Sequence, residues 1–373
     1  MQIEPFKLER FFAKHEFTAR YLLSPSDCET LSLRELLGLA SPESLALWNE
    51  LRFGYTESQG HPLLRAEVAQ LYQSITPSDI MVAVPEEAIF IVMQTLLQPG
   101  DHAVVVRPAY QSLYEVARSS GCQVTAWNLL LGSQGWHLDP DQLRRSLKKQ
   151  TRLVVINFPH NPTGYLPSRQ EFDLLVAIAR EHDLYLLGDE MYRYLEHDPA
   201  NRLPAACEVY EKGISLSGLS KSFGLPGLRA GWLATREKSL LERWLTIKDY
   251  TTICHSAPSE ILAMIALRAR EEIIRRNRGI IRDNLAALGS FFSAHRDLFT
   301  WVEPQGGSVA FPLWTGPAPV EDFCQRILEE RGVLIVPGSL FSYPGNHFRV
   351  GLGRRNLEEA LDQVSQFCRA TFA

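Results

Sequence analysis

No run of about 18 apolar residues occurs anywhere in this chain, so no stretch reads as a membrane-spanning helix. The opening residues, Met1 to Phe17, also lack the apolar core of a signal peptide, being broken up by Glu4, Lys7, Glu9, Arg10, Lys14 and Glu16. Cysteine is sparse: six residues in 373, scattered, with no C-x-x-C pair. That pattern fits free thiols in a reducing compartment better than a disulfide frame. The ten histidines include no H-x-x-x-H pair, which argues against a dedicated zinc site. A strong excess of one charge is missing too. A net charge of -5 gives no general case for nucleic acid or an anionic membrane as partner. The expectation is a cytoplasmic protein acting on small molecules.

What is present is ordinary globular material, 45% hydrophobic and 22% charged, with enough length for one large domain and a smaller one. Residues 1–45 read as an arm that also joins the small domain, with Phe6, Leu8, Phe11, Phe12 and Phe17 set among charges. From 46 to 265, apolar β-type runs alternate with helical stretches. Examples are Ile80 to Val84, Ala103 to Val106, Val124 to Trp127, Leu153 to Phe158, Leu184 to Gly188 and Ile214 to Leu216. Ser168 and Glu171 form a capping box that opens one of the intervening helices. Such alternation predicts an α/β domain built on a mostly parallel sheet, with ligands beyond the carboxyl ends of its strands. Residues 266–373 begin with a charged helix expected over Arg268 to Phe292 and read as a smaller α+β domain.

The densest chemistry lies in Ser215 to Trp232, where Ser220, Ser222 and Gly224 leave little bulk around Lys221. Alone, such a lysine is as often a solvated side chain on a Gly/Ser loop. A lysine in a tight, partly dry site gives up its proton more easily, which makes it a candidate Schiff-base former. Arg229, eight positions on, supplies a planar fork for a phosphate. Amine plus phosphate clamp is what pyridoxal 5'-phosphate (PLP) requires. Two more polar signals follow apolar strands: Asn161-Pro162-Thr163-Gly164 and Asp189-Glu190-Met191-Tyr192. Asp189 reads either as a helix N-cap or as the carboxylate that holds a pyridine nitrogen protonated. Tyr192 and Asn161 suit a ring oxygen, and Tyr110 suits the ring face; each could instead be plain turn or packing chemistry.

As a set, N-P-T-G, D-E-M-Y and S-K-S-F-G-L-P-G-L-R resemble the motifs of class I/II aminotransferases of PLP fold type I. Supporting stretches are G-Y-T-E-S-Q-G from Gly54, L-x-P-G-D from Leu97, P-x-G-G from Pro304, V-P-G-S-x-F from Val336 and F-R-V-G from Phe348. The resemblance runs in order over nearly the whole chain. It implies that Lys221 forms the Schiff base and shuttles the proton, and that Asp189 meets the pyridine nitrogen. Asn161 and Tyr192 would meet the ring oxygen, Tyr110 would stack, and Arg349 would bind a substrate α-carboxylate. Arg229 would hold the phosphate, joined by Tyr55 from a neighbouring subunit, so a homodimer is implied. Amino acids and keto acids would be the substrates.

Three departures from that pattern stand out. Pro85-Glu86-Glu87 occupies the start of the phosphate-facing helix, so the backbone N–H groups of Glu86 and Glu87 are expected to serve while their side chains turn away. Gly218 stands where a hydroxyl is usual, with Ser217 or Ser220 as substitute. The stretch Ser26-Asp27-Cys28-Glu29 replaces a glycine-containing loop. With the arm E-P-F-K-L-E-R-F-F, that stretch looks most like the subset that includes capreomycidine synthase, whose members act on arginine derivatives. Glu9, Glu16 and Glu29 lie in the part of the arm that would line the side-chain pocket, where a carboxylate pairs with a guanidinium. Most glutamates are simply solvated. The leading expectation is an aminotransferase. The alternatives are a PLP-dependent cyclase, eliminase or oxidase on an arginine derivative and, more distantly, a non-catalytic amino-acid sensor. No helix-turn-helix accompanies the arm to support the last.

Overall fold

Short apolar runs in the middle of the chain become strands whose alternate side chains are buried on opposite faces of one sheet. The computed structural model describes residues 2–372. Its central sheet has seven strands: β1 (Ile80–Ala83), β2 (His102–Arg107), β3 (Gln123–Asn128), β4 (Thr151–Asn157), β5 (Tyr185–Asp189), β6 (Gly213–Gly218) and β7 (Gly231–Ala234). The order across the sheet is β1-β7-β6-β5-β4-β2-β3. All neighbours are parallel except β7, which runs antiparallel to both β1 and β6. A mostly parallel sheet is therefore the finding, as the alternating pattern predicts.

Two clusters cover the two faces. Val104, Val106, Val154, Ile156 and Leu186 pack on one side. Ala103, Val105, Leu153, Val155 and Leu187 pack on the other. A strand with period two and no polar face can be stable only when layered on both sides. Helix α1 (Lys7–His15) lies on the first cluster through Leu8, Phe6, Phe11 and Phe12. Helix α2 (Pro85–Leu96) follows β1 directly, with Pro85 in its first turn, where a missing N–H costs nothing. Ser168 and Glu171 make the expected reciprocal cap.

A second core gathers the C-terminal part with the arm. Tyr21–Leu22 pairs in parallel with Val333–Leu334, and Phe348–Gly351 sits between Val309–Ala310 and Val336–Pro337. Trp314 and Phe323 stack at 4.3 Å inside it.

Two differences from the sequence reading have physical reasons. The charged helix expected over Arg268 to Phe292 is found as Arg270–Ala294, but the helix that precedes it, Ala257–Arg268, meeting it at Ala269, was not read from the sequence. No glycine or proline marks the junction. Packing makes it: Ile261 to Leu267 is buried against Ile80, Val82 and Trp232, while the second helix exposes a charged face. The small hairpin Leu130–Gly132 with Gly135–His137 also escaped the pattern, because its strands are three residues each.

Candidate active site

The carboxyl ends of β4, β5 and β6 and the start of α2 open into one cavity of about 280 Å³. This is where a parallel sheet presents its ligands. Lys221, Asp189, Asn161, Tyr192, Tyr110, Arg229, Ser220, Glu86 and Arg349 all line it, and so does Glu9 from α1.

Lys221 follows the end of β6. Its Nζ donates to Oγ of Ser26 at 2.9 Å. Burial lowers its pKa, with Arg349 pushing in the same direction and the Asp27 carboxylate opposing. Asp189 ends β5 opposite Asn157 of β4. Its Oδ1 accepts the Met191 N–H at 3.2 Å, and burial raises its pKa to about 7. Asn157 fixes this corner: its Nδ2 donates to the Asp189 carbonyl at 2.9 Å and its Oδ1 accepts the Asn161 N–H at 2.8 Å. The Tyr192 hydroxyl is buried with no hydrogen-bond partner, and burial raises its pKa. The Tyr110 ring lies against Phe6 at 4.7 Å while its hydroxyl donates to Oε1 of Glu9 at 2.8 Å.

Arg349 is only 1% exposed. Its Nε and Nη2 donate to the Ser24 carbonyl at 3.1 and 2.9 Å, and its Nη1 donates to Oδ1 of Asn161 at 3.2 Å. A guanidinium has about five N–H groups, so about two remain for a ligand. The start of α2 has no side-chain cap, which leaves its N–H groups and the positive end of its dipole open.

Several expectations need correction. Glu29 does not reach the cleft: its Oε2 accepts the Arg355 N–H at 3.0 Å on the far side of the segment. Glu87 turns away as expected, taking the hydroxyl of Thr252 at 2.8 Å and that of Thr251. Glu86 does not turn away. It shares the cleft-facing side of α2 with Ile89, three residues on, and burial raises its pKa. Tyr55 is 91% exposed and outside its own chain's cleft. Of the two serines, Ser220 lines the cleft, while Ser217 donates to the Glu190 carbonyl at 3.4 Å.

Glu16 lines the cleft as expected of the arm, and Ser26 and Asp27 of the departing stretch line it too; Asn157, from β4, was not singled out from the sequence. Asp27 is bound by Nη2 of Arg354 through both oxygens, at 3.0 and 2.9 Å. Among the described residues Glu16 has no such partner, and its pKa is raised by burial, then by Asp27 and Glu9. Asn157 carried the same signal as Asp189, a polar residue ending an apolar strand. Ser26 carried none, being 195 positions from the lysine it touches.

These groups fit PLP. A buried carboxylate, an unpartnered phenol, an amide, a flat aromatic ring, a lysine, an arginine and a free helix start match a basic ring nitrogen, a ring oxygen, an aldehyde and a phosphate. Among the described residues no cluster of metal ligands occurs.

Comparison with known proteins agrees. Residues 33–364 match the family "Aminotransferase class I and II". The chain is 32% identical over 366 residues to capreomycidine synthase of Streptomyces vinaceus, covering 96% of this chain and 92% of that one. A PLP-dependent aminotransferase from Streptococcus suis superposes with a TM-score of 0.93 at 32% identity, over 100% of both chains. The PLP-dependent cyclase OrfR superposes with a TM-score of 0.91 at 30% identity, over 99% of this chain and 98% of that one. By motif, fold and relatives alike, this chain belongs to the class I and II aminotransferases, a family of enzymes whose cofactor is pyridoxal 5'-phosphate.

Proposed function

We propose that the protein is an aminotransferase that holds an L-amino acid by its α-carboxylate at Arg349 and moves the α-proton with Lys221. The observation that carries this reading is the shared cleft: a buried arginine with N–H groups to spare faces a lysine of lowered pKa, with Asp189 behind. When bound, PLP supplies an aldehyde that takes an amine and a ring that accepts electrons from the adjacent carbon. Asp189 then keeps the ring nitrogen protonated, and Asn161 and Tyr192 donate to the ring oxygen. Tyr110 covers one ring face. Arg229, Ser220 and the α2 N–H groups of Glu86 and Glu87 take the phosphate. Lys221, whose charged form burial disfavours, serves as the base at the substrate α-carbon and returns the proton.

A second reading is favoured by the acidic side of the cleft. Glu9 is occupied by Tyr110 and Asp27 by Arg354, but Glu16 has no partner. An unpaired carboxylate there suits a substrate with a cationic side chain, such as an arginine derivative. Two of the proteins similar to this one are named as a synthase and a cyclase. On that reading the same lysine and arginine begin an elimination and ring closure in place of transamination.

The homodimer is part of the proposal. Phe53, Tyr55 and Tyr250 are 90–91% exposed on two loops that Ser58 and Asp249 join at 3.2 Å. Exposed aromatics of this kind are what a subunit interface covers. Light scattering that gives the mass of one chain would count against it.

The test is to incubate the protein and PLP with a panel of amino acids and 2-keto acids and to identify products by mass spectrometry, with Lys221→Ala as control. A keto acid from the donor, matched by amination of the acceptor, establishes the aminotransferase. A cyclised or oxidised product from an arginine derivative, with no acceptor needed, establishes the second reading. Turnover by Lys221→Ala would sink both.

A further inference from the structure

The segment Lys248 to His255 belongs to no motif, yet it touches every part of the corner where β1, α2 and Arg229 meet. Lys248 is fully buried and its Nζ donates to the carbonyls of Ser58 and Val82, at 2.5 and 2.8 Å. Thr251 and Thr252 hold Glu87 at the start of α2. His255, 7% exposed, places Nε2 at 2.9 Å from the Arg229 carbonyl, and its own carbonyl accepts the Thr56 hydroxyl at 3.2 Å.

Arg229 needs that support. Its backbone is left-handed, φ 53° and ψ 25°, a conformation a non-glycine residue holds only when its surroundings impose it. The local bonds of Arg229, N–H and Nη1 to the Pro226 carbonyl, come from within the same turn. The His255 bond is the one that ties the turn to a different part of the chain. A carbonyl only accepts, so Nε2 carries the hydrogen. The direction of the Arg229 side chain follows from this backbone geometry, and from it Arg229 lines the cleft.

We propose that His255 is a positioning residue for the cofactor phosphate. It fixes Arg229 toward its own cleft through one bond. Through Thr56 it steadies the loop that carries Tyr55. The inference rests on the reading that Arg229 meets the phosphate.

The experiment uses two probes, PLP and pyridoxal, which lacks the phosphate, and measures their dissociation constants with cofactor-depleted protein. The variants are His255→Phe, His255→Gln, Arg229→Ala and the double variant His255→Phe with Arg229→Ala. His255→Phe is expected to weaken PLP about tenfold, the scale of one lost hydrogen bond to a placed group, and to leave pyridoxal unchanged. His255→Gln, which keeps an N–H near the position of Nε2, is expected to recover most of the loss. In the Arg229→Ala background His255→Phe should add little, because partners acting as a unit are not additive. If His255→Phe fails to fold, His255→Asn, too short to reach the carbonyl, takes its place in the same assay. Equal weakening of PLP and pyridoxal, or a full tenfold effect on top of Arg229→Ala, overturns the inference. If Arg229→Ala keeps the preference for PLP over pyridoxal, the reading of Arg229 itself falls, whatever His255 does.

Discussion

Nη1 of Arg349 and Oδ1 of Asn161, 188 positions apart, meet at 3.2 Å. An arginine can only donate, so Asn161 must turn its oxygen to the guanidinium and its Nδ2 to the cleft. On the proposed reading, one contact thus aims two groups: a fork toward a carboxylate and an amide donor toward a ring oxygen. Arg349→Lys keeps a charge but loses the planar fork, and an ammonium that bonded both the Ser24 carbonyl and Asn161 would have no pair of N–H groups left for a carboxylate. The expected result is a KM for the amino acid raised by about tenfold or more, with kcat/KM down by about a hundredfold. Steady-state kinetics on the best substrate from the panel checks it. An unchanged KM would mean the carboxylate binds elsewhere.

Asp189 ties stability to pH. Folding raises its pKa from 3.8 to about 7 because burial penalises the charged form. Between those values the unfolded chain has lost a proton that the folded chain keeps, so this group's contribution falls as pH rises, then stays level above about 7. Asp189→Asn carries no such cost. Without cofactor, the variant should match the parent near pH 4 and exceed it by about 2–4 kcal/mol at pH 8. The same variant should bind PLP more weakly, because an amide cannot keep the ring nitrogen protonated. Urea unfolding at several pH values reads the first effect; a gap that does not change with pH would contradict it.

Glu16 gives the sharpest test of substrate class. Burial, reinforced by Asp27 and Glu9, raises its pKa, so its charge is gained at higher pH than that of a solvated glutamate. For a cationic amino acid, KM should therefore fall as pH rises through that pKa, and for an uncharged one it should not. Glu16→Gln should abolish the pH dependence and raise KM for the cationic substrate by about tenfold, the scale of a charged hydrogen bond. Equal effects on charged and uncharged substrates would remove Glu16 from the recognition of side chains.

How much of this was legible beforehand depended on locality. Lys221, Asp189 and Asn161 each follow a strand whose apolar run is written in consecutive residues, so both the sheet and the placement of those three could be read. Glu16 was expected in the cleft from the resemblance of the arm, but Ser26 and Asp27 reach it where Tyr21–Leu22 adds to a strand more than 300 residues later, at Val333–Leu334. No local pattern encodes that pairing. Glu29, two residues past Asp27, points elsewhere because the chain bends at Asp27 and does not keep the alternation of a strand, in which the two would share a face. The helix Ala257–Arg268 went unread for a related reason: burial of every residue from Glu260 to Leu267 leaves it without a polar stripe, whereas the charged helix after Ala269 was placed to within two residues.

Pro85 and Gly218 explain each other. A Cβ on Gly218 would lie 3.0 Å from the Ala230 carbonyl oxygen, 3.0 Å from the Gly231 Cα and 3.3 Å from Cγ of Pro85. A Cβ on Gly231 would lie 2.8 Å from the same Cγ. The proline ring at the start of α2 lies above the two strands, so a side chain at 218 would fit only if the ring and the β7 backbone gave way by a few tenths of an ångström. Ser220 lines the cleft instead. Gly218→Ser should lower stability by about 1–3 kcal/mol, the range for an added group in a packed interior. In a Pro85→Ala background the ring is gone but the Ala230 carbonyl remains, so the loss should be smaller without vanishing. Thermal unfolding of the four proteins, the parent, each single variant and the pair, separates the contributions. An identical loss in both backgrounds would show that the backbone contact alone excludes the serine and that Pro85 is there for the helix.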